Sequence, residues 1–144
     1  MVLGILALTV AAVFSGAALY VSFVEHPSRD ALDARGQLIQ WKPSYARGAR
    51  MQASLALIGF ALSLLAWWQT KDLRWMVGAI VLVAGWPYTM LCIMSVNNAL
   101  KATALGDAGP ASGRLLARWG RLHAGRTALG VVSTAIYIAA AGNL

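Results

Sequence analysis

The stretch MVLGILALTVAAVFSGAALYVSFV, residues 1–24, decides the fold because it carries no charged side chain. A helix needs roughly 20 apolar residues to cross the hydrocarbon core of a bilayer, and this run is long enough. It lacks the basic start and the cleavage site of a signal peptide. Backbone groups in lipid must bond to one another, and the run is too long for a barrel strand. We therefore predict a membrane-spanning helix.

Three further uncharged runs follow, at Met51–Thr70, Trp75–Leu100 and Thr127–Leu144. The last of them reaches spanning length if its helix begins near Leu122. Hydrophobic residues make up 59% of the 144-residue chain and charged residues 12%, whereas about a quarter of the residues of a soluble domain are charged. The predicted fold class is all-α: one integral membrane four-helix bundle over residues 1–144. Its spans are expected at about 2–25, 46–70, 74–98 and 120–142.

The cations predict the orientation. All twelve lysine and arginine residues except Lys71 and Arg74 lie in or beside the first and third connections. In an up-down bundle these two connections share a side, which the positive-inside rule assigns to the cytoplasm. We expect a multi-pass protein of the cell (inner) membrane with both termini on the non-cytoplasmic side. The formal net charge of +7 then favours the anionic lipid bilayer as partner, with no nucleic acid.

Several local features carry weaker expectations. Trp67, Trp68 and Trp75 are predicted to anchor the bundle at the outer interface. Pro87, in the middle of the third run, predicts a kink or a widened pocket. A short helix is expected to begin near Ser28 and to end at Gly36. Small residues recur in three of the runs, a pattern compatible with a homo-oligomer such as a dimer or trimer.

Polar residues collect where the predicted spans meet the cytoplasmic side, and their convergence predicts a pocket there. The first span ends at Glu25 and His26, and the third ends at Asn97 and Asn98. Trp119, His123 and Arg126 begin the fourth span with a spacing of i, i+4 and i+7, which places them on one helical face. A plainer interpretation stays open, in which Arg126 only reaches the headgroups and one asparagine ends its helix.

Three kinds of chemistry fit these side chains. Glu25, His26 and His123 are a ligand set for zinc, iron or copper, although their spacing matches no metal motif. A single imidazole near neutrality is a general base, with Asn98 or Arg126 stabilising an oxyanion beside an aromatic wall. Two histidines are also a ligand pair for haem.

One cysteine, Cys92, excludes an internal disulfide framework.

Four segments resemble the small four-helix membrane proteins of the anthrone-oxygenase-like family. They are YVSFVEHP at 20–27, WKPSYARG at 41–48, Asn98 with Leu100, and WGRLHAGR at 119–126. The resemblance implies an oxygenase that converts an anthrone, a lipophilic tricyclic aromatic, to its anthraquinone with dioxygen and without a metal or flavin. It implies His26 or His123 as base, Asn98 and Arg126 as oxyanion stabilisers, and Trp41, Tyr45 or Trp119 as the platform for the ring.

A non-enzymatic function is the alternative. The chain would then be a small membrane module that binds a metal, haem or a lipophilic molecule, or a subunit of a larger membrane assembly. In that case the polar residues form a buried network that fixes the helices relative to one another, and Arg126 pairs with Glu25.

Overall fold

Four long helices make up the computed structural model, which describes residues 2–142. They are α1 (Val2–Asp30), α2 (Ala34–Thr70), α3 (Leu73–Ala102) and α4 (Pro110–Ala141). Each of the four is long and apolar enough to cross a membrane. The all-α prediction is confirmed for residues 2–142, which contain no strand.

The helices pack as a closed square in which α1 and α3 each contact both α2 and α4. In α1, Ser15 pairs with Thr134 of α4, and Ser22 pairs with Thr127. Helices α1 and α4 therefore run antiparallel. The connections at 31–33 and 103–109 adjoin the cation-rich segments, and the part of the bundle next to them is called the basic end below.

Two buried clusters fill the bundle. One surrounds Phe14, Trp75 and Tyr137 in the half that lies away from the basic end. The other surrounds Leu38, Trp41, Leu116 and Trp119 and lies at the basic end. The polar residues singled out in the sequence lie beside the second cluster, in the half of the bundle at the basic end.

The first helix does not stop at Glu25 and His26, as its polar crowding had indicated, but continues to Asp30. Residues Val21–Glu25 form a π-helical turn, in which the His26 N–H bonds to the Val21 carbonyl. Pro27 then stands at the start of the next α-helical segment, where its missing N–H costs least. The helix continues beyond Pro27 because the π-helical turn before it accommodates the missing N–H.

The second helix begins at Ala34, because Asp33 accepts a hydrogen bond of 2.8 Å from the Gly36 N–H and caps it. The expected helix end at Gly36 is therefore wrong. Pro43 lies inside α2. Lys42 donates to the carbonyls of Lys101 (3.1 Å) and Thr103 (2.6 Å), which ties α2 to the end of α3.

The turn between α2 and α3 contains Lys71 in the left-handed conformation, at φ 57°. Asp72 caps α3 and accepts hydrogen bonds from the side chain and the backbone of Arg74, which hold the pKa of Asp72 below its ordinary value. Trp75 is fully buried and stacks on Tyr137 at 5.3 Å. The expectation that Trp75 is an interfacial anchor is therefore wrong, because its indole fills the core. Trp68 is exposed.

Candidate functional site

A cavity of about 610 Å³ lies at the basic end and is lined by residues of all four helices. Its polar lining residues include Glu25, Arg29, Gln40, Ser44, Gln52, Thr89, Asn97, His123 and Arg126, and its aromatic ones are Tyr20, Trp41, Tyr45 and Trp119. This volume lies within the range of roughly 300–1,000 Å³ found for small-molecule sites. Most of its surface is apolar, with a few polar groups, as such sites require.

Aromatic rings form one wall of the cavity. Trp41 and Tyr45, one turn apart on α2, stack with ring centroids 4.7 Å apart and an angle of 12° between the planes. Trp119 meets Trp41 edge to face at 5.8 Å. Its indole N–H donates to Asn97 Oδ1 at 3.0 Å, which fixes the plane of the ring. The three residues that the sequence indicated as a ring platform therefore lie together.

His123 lines the same cavity and is only 6% exposed. Its ring stacks on Trp119, with centroids 5.0 Å apart and an angle of 26° between the planes. Nδ1 lies 3.2 Å from the Ser22 hydroxyl. Within residues 2–142, no hydrogen bond involves Nε2. An imidazole held at one nitrogen and unbonded at the other has the form of a general base.

His26 does not line the cavity. Its ring meets Trp119 edge-on at 5.9 Å, and its Nδ1 lies 3.2 Å from Arg29. Its other edge lies against the backbone of Gly120, where a Cβ atom would overlap the imidazole. His26 therefore contacts Trp119 without lining the cavity, whereas His123 both contacts Trp119 and lines the cavity.

The expected convergence does not extend to Asn98, which is exposed and lies outside the cavity. Its neighbour Asn97 is 1% exposed, lines the cavity and bonds to Trp119. Consecutive helical residues point about 100° apart, so only one of the two asparagines can face the bundle.

Arg126 contributes a cation to the cavity lining. It donates to the Thr89 hydroxyl at 3.2 Å, and its guanidinium carbon lies 6.0 Å from the centroid of the Phe14 ring. Its Nε is buried and has no hydrogen-bond partner in residues 2–142. No carboxylate of these residues forms an ion pair with Arg126. A cation without a carboxylate in an apolar site favours a ligand on which negative charge can develop.

A polar network that the sequence did not reveal closes another side of the cavity. Glu25 Oε1 accepts hydrogen bonds from Arg29 (2.7 Å), from Gln40 (3.1 Å) and from Ser44. Arg29 is 2% exposed and also bonds to Gln40. The expected pairing of Glu25 with Arg126 is wrong, because the ion pair of Glu25 is formed by Arg29, which lies one turn along the same helix. The i, i+4 spacing of Glu25 and Arg29 was the available signal.

Two irregular turns help to shape the cavity. The π-helical turn Val21–Glu25 carries Ser22 and Glu25, and a second one, Thr89–Ile93, follows Pro87 in α3. Both turns contribute lining residues. Such turns are frequent at functional sites because they redirect side chains that a regular helix would turn away.

The structure of residues 2–142 also tests the alternative metal-ligand set. Over residues 2–142, no three side chains of histidine, cysteine, aspartate or glutamate are grouped so that they could hold a metal ion. Glu25 is already bonded to Arg29, Gln40 and Ser44, and His123 lines the cavity whereas His26 does not. The alternative ligand set Glu25, His26 and His123 is therefore not brought together.

Comparison with known proteins gives one family. The family model for anthrone oxygenase matches residues 41–136. The match includes Trp41, Tyr45 and the WGRLHAGR segment, and it leaves out the segment 20–27 that also carried the resemblance. The search of curated proteins and the search of solved structures give no match. Because the matched region is more than half of the 144-residue chain, the chain belongs to the anthrone oxygenase family.

Proposed function

We propose that this protein is an oxygenase of the cell (inner) membrane that converts a lipophilic, anthrone-like aromatic to a quinone with dioxygen and without a cofactor. The observation that carries the proposal is that an imidazole and a guanidinium without a carboxylate partner, His123 and Arg126, line one aromatic cavity. The bundle has up-down topology, with the cavity on the cytoplasmic side and both termini opposite, in keeping with the cation distribution.

The substrate binds as a flat ring system against the aromatic wall of the cavity. Trp41 and Tyr45 stack on each other in this wall, and Trp119 lies beside them, edge to face with Trp41. Tyr20 of α1 and Met51 of α2 line the cavity and are 57% and 48% exposed on the outside of the bundle. These two residues mark an entrance through which an apolar molecule reaches the cavity from the lipid.

Catalysis begins with the ring methylene, whose proton His123 Nε2 removes. The electron pair left on carbon is delocalised into the rings and onto the carbonyl oxygen, where Arg126 stabilises the negative charge. This carbanion reduces dioxygen. A carbon–oxygen bond forms, and the protonated His123 returns its proton to the peroxide, which gives a hydroperoxide.

Loss of the remaining hydrogen on that carbon completes the reaction. As the proton leaves, its electron pair forms the new carbonyl, the oxygen–oxygen bond breaks, and the outer oxygen departs as water. One dioxygen is consumed for each quinone and each water formed, so the substrate supplies all the electrons. His123 accepts the proton in this step as well, because it has already given the first proton to the peroxide.

Oxygen uptake by the purified protein with an anthrone tests these roles. The variant H123Q is expected to lower kcat by about 10²- to 10⁴-fold, the usual contribution of a positioned general base. R126M is expected to lower it as well, because the oxyanion loses its cation. H26Q is the matched control and should stay within a few-fold of the wild type, because His26 lies outside the cavity. Uptake by H123Q at the wild-type rate would overturn the assignment of the base.

A lipophilic-ligand module without catalysis is the second candidate. The observation in its favour is that Glu25, Arg29, Gln40 and Ser44 already satisfy one another, as a structural network does. Tight binding of an anthrone with no oxygen uptake would favour this candidate. A stoichiometric metal or a Soret band in the purified protein would replace the cofactor-free oxygenase by a metal- or haem-binding protein.

A further inference from the structure

A chain of hydroxyl groups connects His123 to the backbone of α1. The Ser22 hydroxyl lies 3.2 Å from His123 Nδ1 and 2.9 Å from the hydroxyl of Thr127. The Thr127 hydroxyl in turn lies 3.2 Å from the Ala18 carbonyl and 3.4 Å from the His123 carbonyl. Thr127 is 6% exposed, so water has little access to this chain. We call these groups (Ser22, Thr127 and the Ala18 carbonyl) the polar relay.

The last group of the polar relay sets the direction of every hydrogen bond in it. A carbonyl can only accept, and a hydroxyl has a single proton to donate. If Thr127 donates its proton to Ala18, it must accept from Ser22. Ser22 has then used its own proton and must accept from His123. With the hydrogen bonds in this direction, the imidazole carries its proton on Nδ1, and Nε2 keeps a free lone pair.

We propose that Ser22 and Thr127 are positioning residues that hold His123 in the Nδ1-protonated tautomer, so that Nε2 is the nitrogen that takes the substrate proton. This inference deepens the proposed function and rests on it for its catalytic meaning. A histidine base is active only in the tautomer that presents its lone pair to the substrate, and a neighbouring group that fixes the other nitrogen selects it. Here a serine and a threonine replace the carboxylate that often has this role.

The bundle contains a matched control for the polar relay. Ser15 and Thr134 form the same kind of pair between α1 and α4, with hydroxyl oxygens 2.8 Å apart. The Thr134 hydroxyl also bonds to a backbone carbonyl, that of Gly130, at 3.0 Å. No histidine is bonded to this pair among the described residues. A substitution at Thr134 therefore removes a partly buried hydroxyl between the same two helices without touching the base.

Nitrogen NMR of the imidazoles in detergent micelles reads the tautomer directly, and the chain has only two histidines to assign. In the wild-type protein at mildly alkaline pH, His123 should show a protonated, pyrrole-type Nδ1 and a pyridine-type Nε2. In T127V the Ser22 proton is released and can be donated to Nδ1, so the two nitrogens should exchange character. T127S and T134V should keep the wild-type pattern. H26Q identifies the signals of His123.

A wild-type His123 with its proton on Nε2 would overturn the inference, and so would a T127V spectrum that equals that of the wild type. T127S keeps the test valid if T127V does not fold, because it retains the hydroxyl: a change of tautomer in T127S would contradict the relay. The NMR readout needs no substrate. An absence of oxygen uptake would therefore count against the proposed function alone, whereas the tautomer decides the relay.

The kinetic test uses the same variants. T127V should lower kcat by about 10-fold or more, because the wrong tautomer presents an N–H to the substrate. KM should change little, since Thr127 is not among the cavity-lining residues. T134V should leave kcat unchanged within a few-fold. Equal losses of kcat in T127V and T134V would reduce the relay to ordinary packing and overturn the proposal.

Discussion

At the scale of single residues, the orientation of the Trp119 ring depends on one hydrogen bond, from its indole N–H to Asn97. The variant N97A removes the acceptor and leaves a buried donor unpaired, which should lower the free energy of unfolding by about 1–2 kcal/mol. N98A is the matched control, because Asn98 is exposed, and it should change the stability by less than about 0.5 kcal/mol. Unfolding in mixed micelles of detergent and dodecyl sulfate measures both. Equal losses would contradict the assignment of Asn97 as the inward-facing asparagine.

Arg29 and Glu25 form the buried ion pair of the cavity wall, with side chains 1% and 16% exposed. Removing the cation alone, in R29M, leaves the partly buried Glu25 carboxylate without its counter-ion and should cost about 3–5 kcal/mol of unfolding free energy. The double variant R29M/E25Q carries no unpaired charge and should recover part of this loss. The same micelle unfolding series measures both proteins. If the double variant is less stable than R29M, the ion pair is not the source of the effect.

Sequence reasoning at this scale succeeded where spacing on one helix was enough. The i, i+4, i+7 spacing of Trp119, His123 and Arg126 correctly brought these side chains to one place. It failed for Asn98 because consecutive helical residues point about 100° apart, and the length of an uncharged run does not say which of them faces the bundle. It also missed Gln40 and Ser44, because their partner Glu25 lies on another helix.

At the scale of elements, close helix contacts depend on glycine. A Cβ atom at Gly78 of α3 would overlap the ring of Tyr137 on α4, whereas one at Gly16 of α1 would meet nothing within 4 Å. G78A should therefore separate α3 from α4 and destabilise the protein by about 1–3 kcal/mol. G16A is the control and should be neutral or slightly stabilising, because alanine is the better helix former. Thermal unfolding in detergent distinguishes them, and a neutral G78A would contradict the close packing.

The number of helices long and apolar enough to span a membrane followed from the sequence, because four long uncharged runs in lipid can satisfy their backbone groups only as helices. The ends of the helices did not follow. Pro27 and Pro43, residues that commonly mark a helix boundary, both lie within helical segments. The π-helical turn before Pro27 accommodates the missing N–H, and such a turn has no sequence signature of its own. Tertiary packing therefore determines where the helices end, which local sequence propensity does not predict.

At the scale of the whole molecule, the cations divide the bundle into a basic end and a nearly uncharged one. The proposed orientation predicts that Asp107 faces the cytoplasm and that Gln69 faces the other side. Single cysteines placed there in a C92S background test it with a membrane-impermeant maleimide on sealed, right-side-out vesicles. Q69C should react, and D107C should react only after the vesicles are opened. The reverse pattern would contradict the orientation.

The central claim is that the cavity oxidises an aromatic substrate with dioxygen and nothing else. The most direct measurement is single-turnover oxidation of an anthrone by chelator-treated protein under dioxygen labelled with the heavy isotope of oxygen. The account predicts one quinone per dioxygen consumed, with one labelled atom in the new carbonyl and the other in water, and a strong loss of this reaction in H123Q. A quinone whose new oxygen comes from the solvent, or turnover that the chelator abolishes, would contradict the account.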